Sequence, residues 1–279
     1  MKMFEKKRSS SEVSIIYLCL DSTASDHALP VAGVFSSVAS SYDRMNDLMS
    51  LGIHRLWKDH FVTSLNPGSS SASSTHGPST PWRILDIAGG TGDIAFRMLD
   101  HAHNINHSPQ THVTVSDINP EMLAEGRKRS LTTPYANTQS LDWLLANAED
   151  LHTVPSNSID LYTVAFGIRN FTDKSRALRE AYRVLKPGGV FACLEFSNVT
   201  NPVLDAVYKR WSFGAIPLIG QLVAGDRASY QYLVESIDKF PRKEVWRDMI
   251  QEVGFVTPGK GWEDLTGGIA AIHKGVKPV

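Results

Sequence analysis

The chain has 279 residues, 42% hydrophobic and 20% charged, enough apolar material for one large domain with appendages or two small domains. A formal net charge of −1 gives no bulk electrostatic grip on nucleic acid, so none is expected as a partner. Two cysteines, Cys19 and Cys193, make no disulfide framework, and Cys193 in "VFACLEF" reads as a buried thiol suited to a reducing compartment.

Residues 1–30 have a basic start and a short apolar stretch, the outline of a targeting segment. Glu5, Glu12, Asp21 and Asp26 run against a mitochondrial presequence, which is poor in acids, and the stretch is expected to be poorly ordered. Residues 31–65 take on a helical pattern, expected to form a cap. Residues 66–81, "NPGSSSASSTHGPSTP", are a Ser/Pro/Gly-rich linker with almost nothing to bury. From 82 to 279 strands and helices alternate. Arg83–Ile87 reads as a strand and Gly92–His101 as its helix; Val113–Asp117 follows as a strand, then Pro120–Arg129 as a helix with proline in its first turn. Trp143–Ala146 is a short third strand, and Ile159–Phe166 a fourth, followed by a helix over Lys174–Leu185. "KPGG" turns into a fifth strand, Val190–Ser197. Arg242–Val253 is helical, and "GGIAAIHKG" forms the last strand. Short apolar strands between amphipathic helices predict an α/β fold, a parallel sheet covered on both faces.

Residues 201–240 interrupt this alternation after the fifth strand. Ligands of open α/β sheets sit outside the carboxyl ends of the strands, so this insertion is expected to be either a substrate lid or an extra pair of core helices. Its most apolar part, Trp211–Gly225, is broken by Pro217 and Gln221 and falls short of the roughly 18–20 apolar residues of a bilayer span.

The loop "LDIAGGTGDIA", Leu85 to Ala95, raises the question of a ligand. Gly89, Gly90 and Gly92 allow close backbone approach, and the helix N-terminus behind them favours a negative group. Gly90 to Ala95 satisfies the G-x-G-x-x-G/A dinucleotide form. Asp117, at the carboxyl end of the second strand, can accept both ribose hydroxyls of an adenosine. These features suit NAD and S-adenosylmethionine alike, and a tight turn with no ligand is the bland alternative. Asp93 separates the two ligands, because a carboxylate is unhelpful beside a pyrophosphate, whereas S-adenosylmethionine brings an ammonium and a sulfonium. The histidines at 101, 103 and 107 alternate with asparagines ahead of Pro109, which reads as a surface loop, and no metal site is expected.

Two longer stretches carry a family resemblance. "YDRMNDLMSLGIHRLW", Tyr42 to Trp57, and "RVLKPGGVFACLEFS", Arg183 to Ser197, closely resemble the signature segments of the UbiE/Coq5 family of C-methyltransferases in ubiquinone and menaquinone biosynthesis. "AGGTGD", "DIN", "NAED" and "FGIRN" fall in the order that family shows, from about Val31 to Lys274, and the serine-rich insertion points to its mitochondrial branch. The resemblance implies a Rossmann-like class I S-adenosylmethionine-dependent methyltransferase, with a seven-stranded, mostly parallel sheet, helices on both faces and an N-terminal helical cap. It implies methylation of a ring carbon of a polyprenylated methoxy-benzoquinol. Asp86, Gly89, Gly90, Thr91, Gly92, Asp117, Asn147, Ala148 and Ala165 become cofactor positions. Some members carry serine where Ala165 stands, so a hydroxyl contact is absent here, and Ala88 replaces the first glycine of the commoner loop. A mitochondrial inner-membrane location on the matrix side, peripheral membrane contact, a homodimer and a multi-enzyme ubiquinone-biosynthesis complex are further implications. Trp211–Ala224 is the segment expected to touch the bilayer surface.

Such a transfer asks the protein to align an in-line displacement and to make the ring carbon electron-rich. A quinol hydroxyl, like tyrosine, has a pKa of about 10, and a fixed cation would favour its phenolate. Arg169 is the first choice for that cation, with a salt bridge that fixes the loop as its alternative. Asn170 would orient a water or a ring oxygen. His54 is the base to test first, followed by Asp43 and Tyr42, although the segment also suits a cap in which Met45, Leu48, Met49 and Trp57 only pack. Glu195 either meets substrate or pairs with a basic neighbour. Three rival functions stay open: an NAD(P)-dependent oxidoreductase, a non-catalytic or weakly catalytic scaffold of a quinone-biosynthesis complex, and a methyltransferase for another small phenol.

Overall fold

The computed structural model describes residue 50 and residues 52–69, 81–199, 210 and 227–279. The segment 1–30, most of the expected cap, residues 70–80 of the linker, nearly all of 200–226, and the candidates Tyr42 and Asp43 lie outside the described residues.

Seven strands form one sheet in the order β3-β2-β1-β4-β5-β7-β6. They are β1 (Arg83–Ile87), β2 (His112–Asp117), β3 (Leu141–Leu145), β4 (Ile159–Ala165), β5 (Leu185–Phe196), β6 (Trp262–Leu265) and β7 (Ala270–Val276). The first five run parallel, and β7 pairs antiparallel with both β5 and β6. Central strands need apolar residues on both faces. β4 meets this with Ile159, Leu161, Tyr162 and Val164, and its polar Asp160 and Thr163 are buried beside hydrogen-bond partners. Alternate residues then feed two cores. Ile84, Leu161 and Ile272 face one core, and Leu85, Tyr162 and Val164 the other.

The first core is covered by helices α1 (His54–Leu65), α2 (Asp93–Asp100), α3 (Pro120–Ser130) and α5 (Arg227–Asp238), through Phe61, Leu99, Leu123 and Leu233. The second is covered by α4 (Lys174–Val184) and α6 (Lys243–Glu252), through Leu178, Ala181, Trp246 and Ile250. α1 buries His54, Trp57, Lys58, Phe61 and Val62, spaced to make one helical stripe, and ends where Asn66 turns left-handed at φ 48°. α3 starts because the Asn119 side chain accepts from the N–H groups of Glu121 and Met122, with Pro120 in the first turn.

Three expectations need correction. "KPGG" is not a turn ahead of β5 but lies within it, as a bulge where the register jumps from Ile159↔Leu185 to Leu161↔Val190. Strand β6 goes unrecognised in the sequence because its residues, "WEDL", carry two acids and only Leu265 is buried; charge on an edge strand blocks pairing with another chain. The histidines at 101 and 103 are not on a loop, because α2 continues as one π-helical turn over His101–Ile105 that buries Ala102. The ring of His103 stands edge-on to Tyr135 at 5.2 Å. Among the described residues no group of histidines, cysteines and carboxylates is arranged to hold a metal, and no helix is long and apolar enough to cross a membrane.

Candidate functional site

Successive crossovers lead from β1 outward to β3 and then back across to β4, so the chain reverses direction between β1 and β4, and a crevice opens at the carboxyl ends of these strands. A cleft of about 310 Å³ lies there, walled by the β1–α2 loop, the ends of β2 and β4, the turn after β3 and α1.

The glycine loop is shaped by left-handed backbone. Ala88 has φ 50° and Gly90 φ 52°, and a Cβ on Gly90 would stand 2.8 Å from Met122 Cε. Its bare N–H donates to Asp117 Oδ2 at 2.9 Å, and Asn119 N–H donates to the other oxygen at 2.9 Å. Both carboxylate oxygens are thus fixed in direction and retain lone pairs for a vicinal diol. Burial pushes the Asp117 carboxyl above its usual range, against the pull of these N–H donors. On the β4 side Phe166 is also left-handed, φ 56°, and a Cβ on Gly167 would fall 2.5 Å from the methyl of Ala88. Two non-glycine residues in this region cost about 1–2 kcal/mol each, and such strain gathers at functional sites.

Gly92 departs from expectation. It is buried and off the cleft wall, and its missing side chain makes room for Trp143, whose Cη2 would lie 2.9 Å from a Cβ there. The same ring presses on Gly126 of α3, where a Cβ would meet it at 2.4 Å.

Asp86 supplies the cleft with its least satisfied group. It is 1% exposed, and Thr163 Oγ1 donates to Oδ1 at 2.7 Å, while Oδ2 has no partner among the described residues. Burial raises its pKa to about 7; the Thr163 bond and Lys58 oppose this, and Asp93 and Asp117 add to it. Asp93 behaves differently from the sequence reading. Its carboxylate is taken up by Lys58 Nζ at 2.8 Å and Arg97 Nε at 3.3 Å. Burial would raise its pKa, but these cations hold it below the ordinary value. The unpaired oxygen of Asp86, rather than Asp93, is therefore the group that disfavours a pyrophosphate.

The other residues expected to meet a cofactor are spread around this wall. Thr91 is buried in the loop, and its hydroxyl accepts from Arg129 Nη1 at 2.6 Å. Asn147 and Ala148 follow β3, where Asn147 Oδ1 accepts from Glu149 N–H at 2.9 Å and shapes the turn. Ala165 ends β4 with its methyl on the wall. An unpaired buried carboxylate oxygen, a diol-accepting carboxylate and open backbone glycines fit a ligand with a cationic end and an adenosine. They therefore fit S-adenosylmethionine.

The candidates for chemistry divide. Asn170, on the 3₁₀ turn Ile168–Asn170, lines the cleft and accepts through Oδ1 from Tyr232 Oη on α5 at 3.1 Å. Arg169 is turned away from the cleft. Its Nη1 meets Glu195 Oε1 at 3.0 Å and also donates to the Phe166 carbonyl, and its Nε reaches Ser236 Oγ at 3.3 Å. The side chains of this pair are 1% and 2% exposed, so the salt bridge that fixes the loop is what forms, and Glu195 is its other half. His54 is also off the wall, 2% exposed, with Nδ1 at 2.8 Å from Ser50 Oγ. Trp57 packs as expected, against Phe166 and Phe196, with its N–H on Thr266 Oγ1. Two wall or near-wall residues escaped the sequence reading. Tyr232 lies in the insertion that interrupts the strand–helix alternation, and nothing in "HRLWKDH" singles out Lys58, one turn beyond His54.

The family model described as the ubiE/COQ5 methyltransferase family matches residues 22–277. The mitochondrial 2-methoxy-6-polyprenyl-1,4-benzoquinol methylase of Schizosaccharomyces pombe is 54% identical over 248 residues, spanning 88% of this chain and 79% of that protein. The Drosophila melanogaster protein of the same name is 49% identical over 88% of this chain and 78% of its own length. The ubiquinone/menaquinone biosynthesis C-methyltransferase UbiE of Bartonella henselae is 50% identical over 88% of each chain. Among solved structures, a SAM-dependent methyltransferase from Thermotoga maritima aligns with a TM-score of 0.56 at 18% identity, covering 88% of this chain and 98% of that one. That likeness speaks for the fold alone.

Proposed function

The chain belongs to the ubiE/COQ5 methyltransferase family, and from that premise we propose that it methylates a ring carbon of a polyprenylated methoxy-benzoquinol in ubiquinone biosynthesis, with S-adenosylmethionine as donor. The observation that carries the cofactor assignment is the cleft at the β1/β4 reversal, where Asp117 is held by Gly90 and Asn119 and Asp86 keeps an unpaired oxygen.

When bound, S-adenosylmethionine supplies an electrophilic methyl group on a sulfonium, ready for in-line displacement. The residues of the chain then do the following. Asp117 accepts the ribose hydroxyls, Asp86 accepts from the ammonium, and Asn147 and Ala148 frame the adenine. Asn170 has its carbonyl oxygen tied to Tyr232, which leaves its amide N–H groups to hold a quinol oxygen and favour the phenolate. Arg169 and Glu195 keep the loop that carries Asn170 in place. Asp43 and Tyr42 are our choice of base for the quinol proton.

The relatives named mitochondrial support a mitochondrial location. To this we add, as our own reading, peripheral attachment to the matrix side of the inner membrane, a homodimer and membership of a multi-enzyme complex. Calorimetry with S-adenosylmethionine, with NADH as control, followed by a methylation assay on a short-tailed methoxy-benzoquinol, tests the assignment. Binding of the methyl donor alone, with methylated product, supports it; binding of NADH instead favours the oxidoreductase, and donor binding without product on any quinol favours the scaffold.

A further inference from the structure

Lys58 stands in an unusual place for a lysine. It lies on the inner face of α1, its side chain 6% exposed, and on the wall of the cleft. An ammonium has three N–H donors. Asp93 Oδ2, at 2.8 Å, takes one of them and is the only partner of Lys58 among the described residues. A buried ammonium with unspent donors is unfavourable unless something arrives to accept them. Asp93 is itself shared, because Arg97 holds its other oxygen at 3.3 Å, and Arg97 also pairs with Asp59 of α1. The carboxylate is therefore satisfied without Lys58 giving up all its capacity to it.

The same wall carries the opposite deficit. Asp86 Oδ2 is buried without a donor, and no hydrogen bond joins it to Lys58. One side of the cleft thus holds an ammonium with donors to spare and, beneath its surface, a carboxylate oxygen lacking a donor. That arrangement is complementary to the zwitterion of an α-amino acid.

We propose that Lys58 binds the carboxylate at the methionine end of S-adenosylmethionine while Asp86 takes the neighbouring ammonium, so that helix α1 completes the cofactor site. This rests on the cofactor assignment above and deepens it. Lys58 is a binding residue with no part in the methyl transfer itself, and it treats S-adenosylhomocysteine, which has the same amino-acid end, as it treats the methyl donor. Its selectivity acts against adenosyl compounds that lack the carboxylate.

Decarboxylated S-adenosylmethionine removes that one group and keeps the sulfonium, the ammonium and the adenosine. In calorimetry the wild-type protein is expected to bind it about tenfold or more weakly than S-adenosylmethionine, the loss typical of a charge-assisted bond. Lys58→Met should weaken S-adenosylmethionine and S-adenosylhomocysteine by a similar factor and leave the decarboxylated compound unchanged, which brings the affinity ratio to about one. Lys58→Arg should restore part of the ratio. Asp93→Asn removes the ion pair but not the proposed carboxylate partner, and should keep the ratio. If Lys58→Met weakens all three ligands equally, the lysine only supports Asp93 and the proposal is wrong. If the wild-type protein binds the decarboxylated compound as tightly as the full cofactor, the proposal is overturned without any variant having to fold. Failure of the wild-type protein to bind S-adenosylmethionine at all would overturn the cofactor assignment, and this inference with it.

Discussion

Arg169→Met separates two roles for this arginine, a substrate-facing cation and a buried strut. In the folded chain the variant leaves Glu195 as a carboxylate 1% exposed, with its partner gone. The Phe166 carbonyl and the Ser236 hydroxyl lose their donor as well. Breaking a buried ion pair from one side costs about 3–5 kcal/mol. Glu195 keeps the Phe196 N–H at 2.9 Å, which places the expected loss in the lower half of that range, about 3–4 kcal/mol. For a domain of this size that lowers the melting temperature by about 10 °C. Because burial already pushes the Glu195 carboxyl up, with Arg169 opposing, removing the arginine should drive it further toward the neutral acid. A second variant, Arg169→Met with Glu195→Leu, fills the same space with apolar groups and should recover most of the stability, since a buried pair and a packed apolar pair are often near equal. The assay is urea unfolding of both variants beside quinol methylation. If Arg169→Met unfolds within about 1 kcal/mol of wild type, the typical effect of an ordinary substitution, yet loses methylation, then the guanidinium acts on the substrate and the structural role argued above is wrong.

Other outcomes follow from the cleft. The affinity for S-adenosylmethionine should fall as the pH drops through about 7, where Asp86 takes up a proton, and calorimetry between pH 8 and 5.5 on wild type and Asp86→Asn should show this dependence only in the former. The folded-state pKa of Asp86 is raised, so the ionised carboxylate costs stability above about 7 and nothing below the unfolded value of 3.8. Asp86→Asn should therefore stabilise the ligand-free protein at pH 8, by at most about 4 kcal/mol, with the advantage gone near pH 4 in urea titrations. Asp117→Ala removes the diol acceptor and the anchor of the Gly90 N–H, and calorimetry should show cofactor affinity about 10–100-fold lower; unchanged affinity would remove Asp117 from the site. Gly167→Ala puts a methyl 2.5 Å from the Ala88 side chain, and thermal melts should register a loss of about 1–3 kcal/mol.

What could be read from the sequence was whatever depends on neighbours along the chain. The strands β1 and β4 are short, largely apolar runs, β2 alternates valine with polar residues, and the glycine loop announces itself by residue type alone. The first turn of α3 was legible because Pro120 follows a capping asparagine. What escaped depends on partners that only the fold supplies. Arg169 and Glu195 are 26 positions apart, and nothing in "FGIRN" says which way the guanidinium turns. Asp93 looked like a free carboxylate because its cation, Lys58, lies 35 residues earlier on a helix of another segment. His54 was chosen for its titration range, but burial against Ser50 keeps it off the cleft. The edge strand β6 hid behind its own charges, and "KPGG" behaved as a bulge because β4 and the last strand hold β5 on both sides.

Trp143 joins three segments that carry no trace of one another in the sequence. Its ring occupies the volume that side chains at positions 92 and 126 would need, so both must be glycine as long as an indole sits at 143. Selection on the three positions is therefore joint. A lineage that replaces the tryptophan with a smaller residue relieves the crowding at both glycines, while Gly92 stays held by its left-handed φ of 83° and Gly126 by the Gly90 carbonyl 3.1 Å from where its Cβ would stand. Gly92, which in isolation looks like a signature of ligand binding, answers in this chain to its left-handed backbone at the start of α2 and to what edge strand β3 carries.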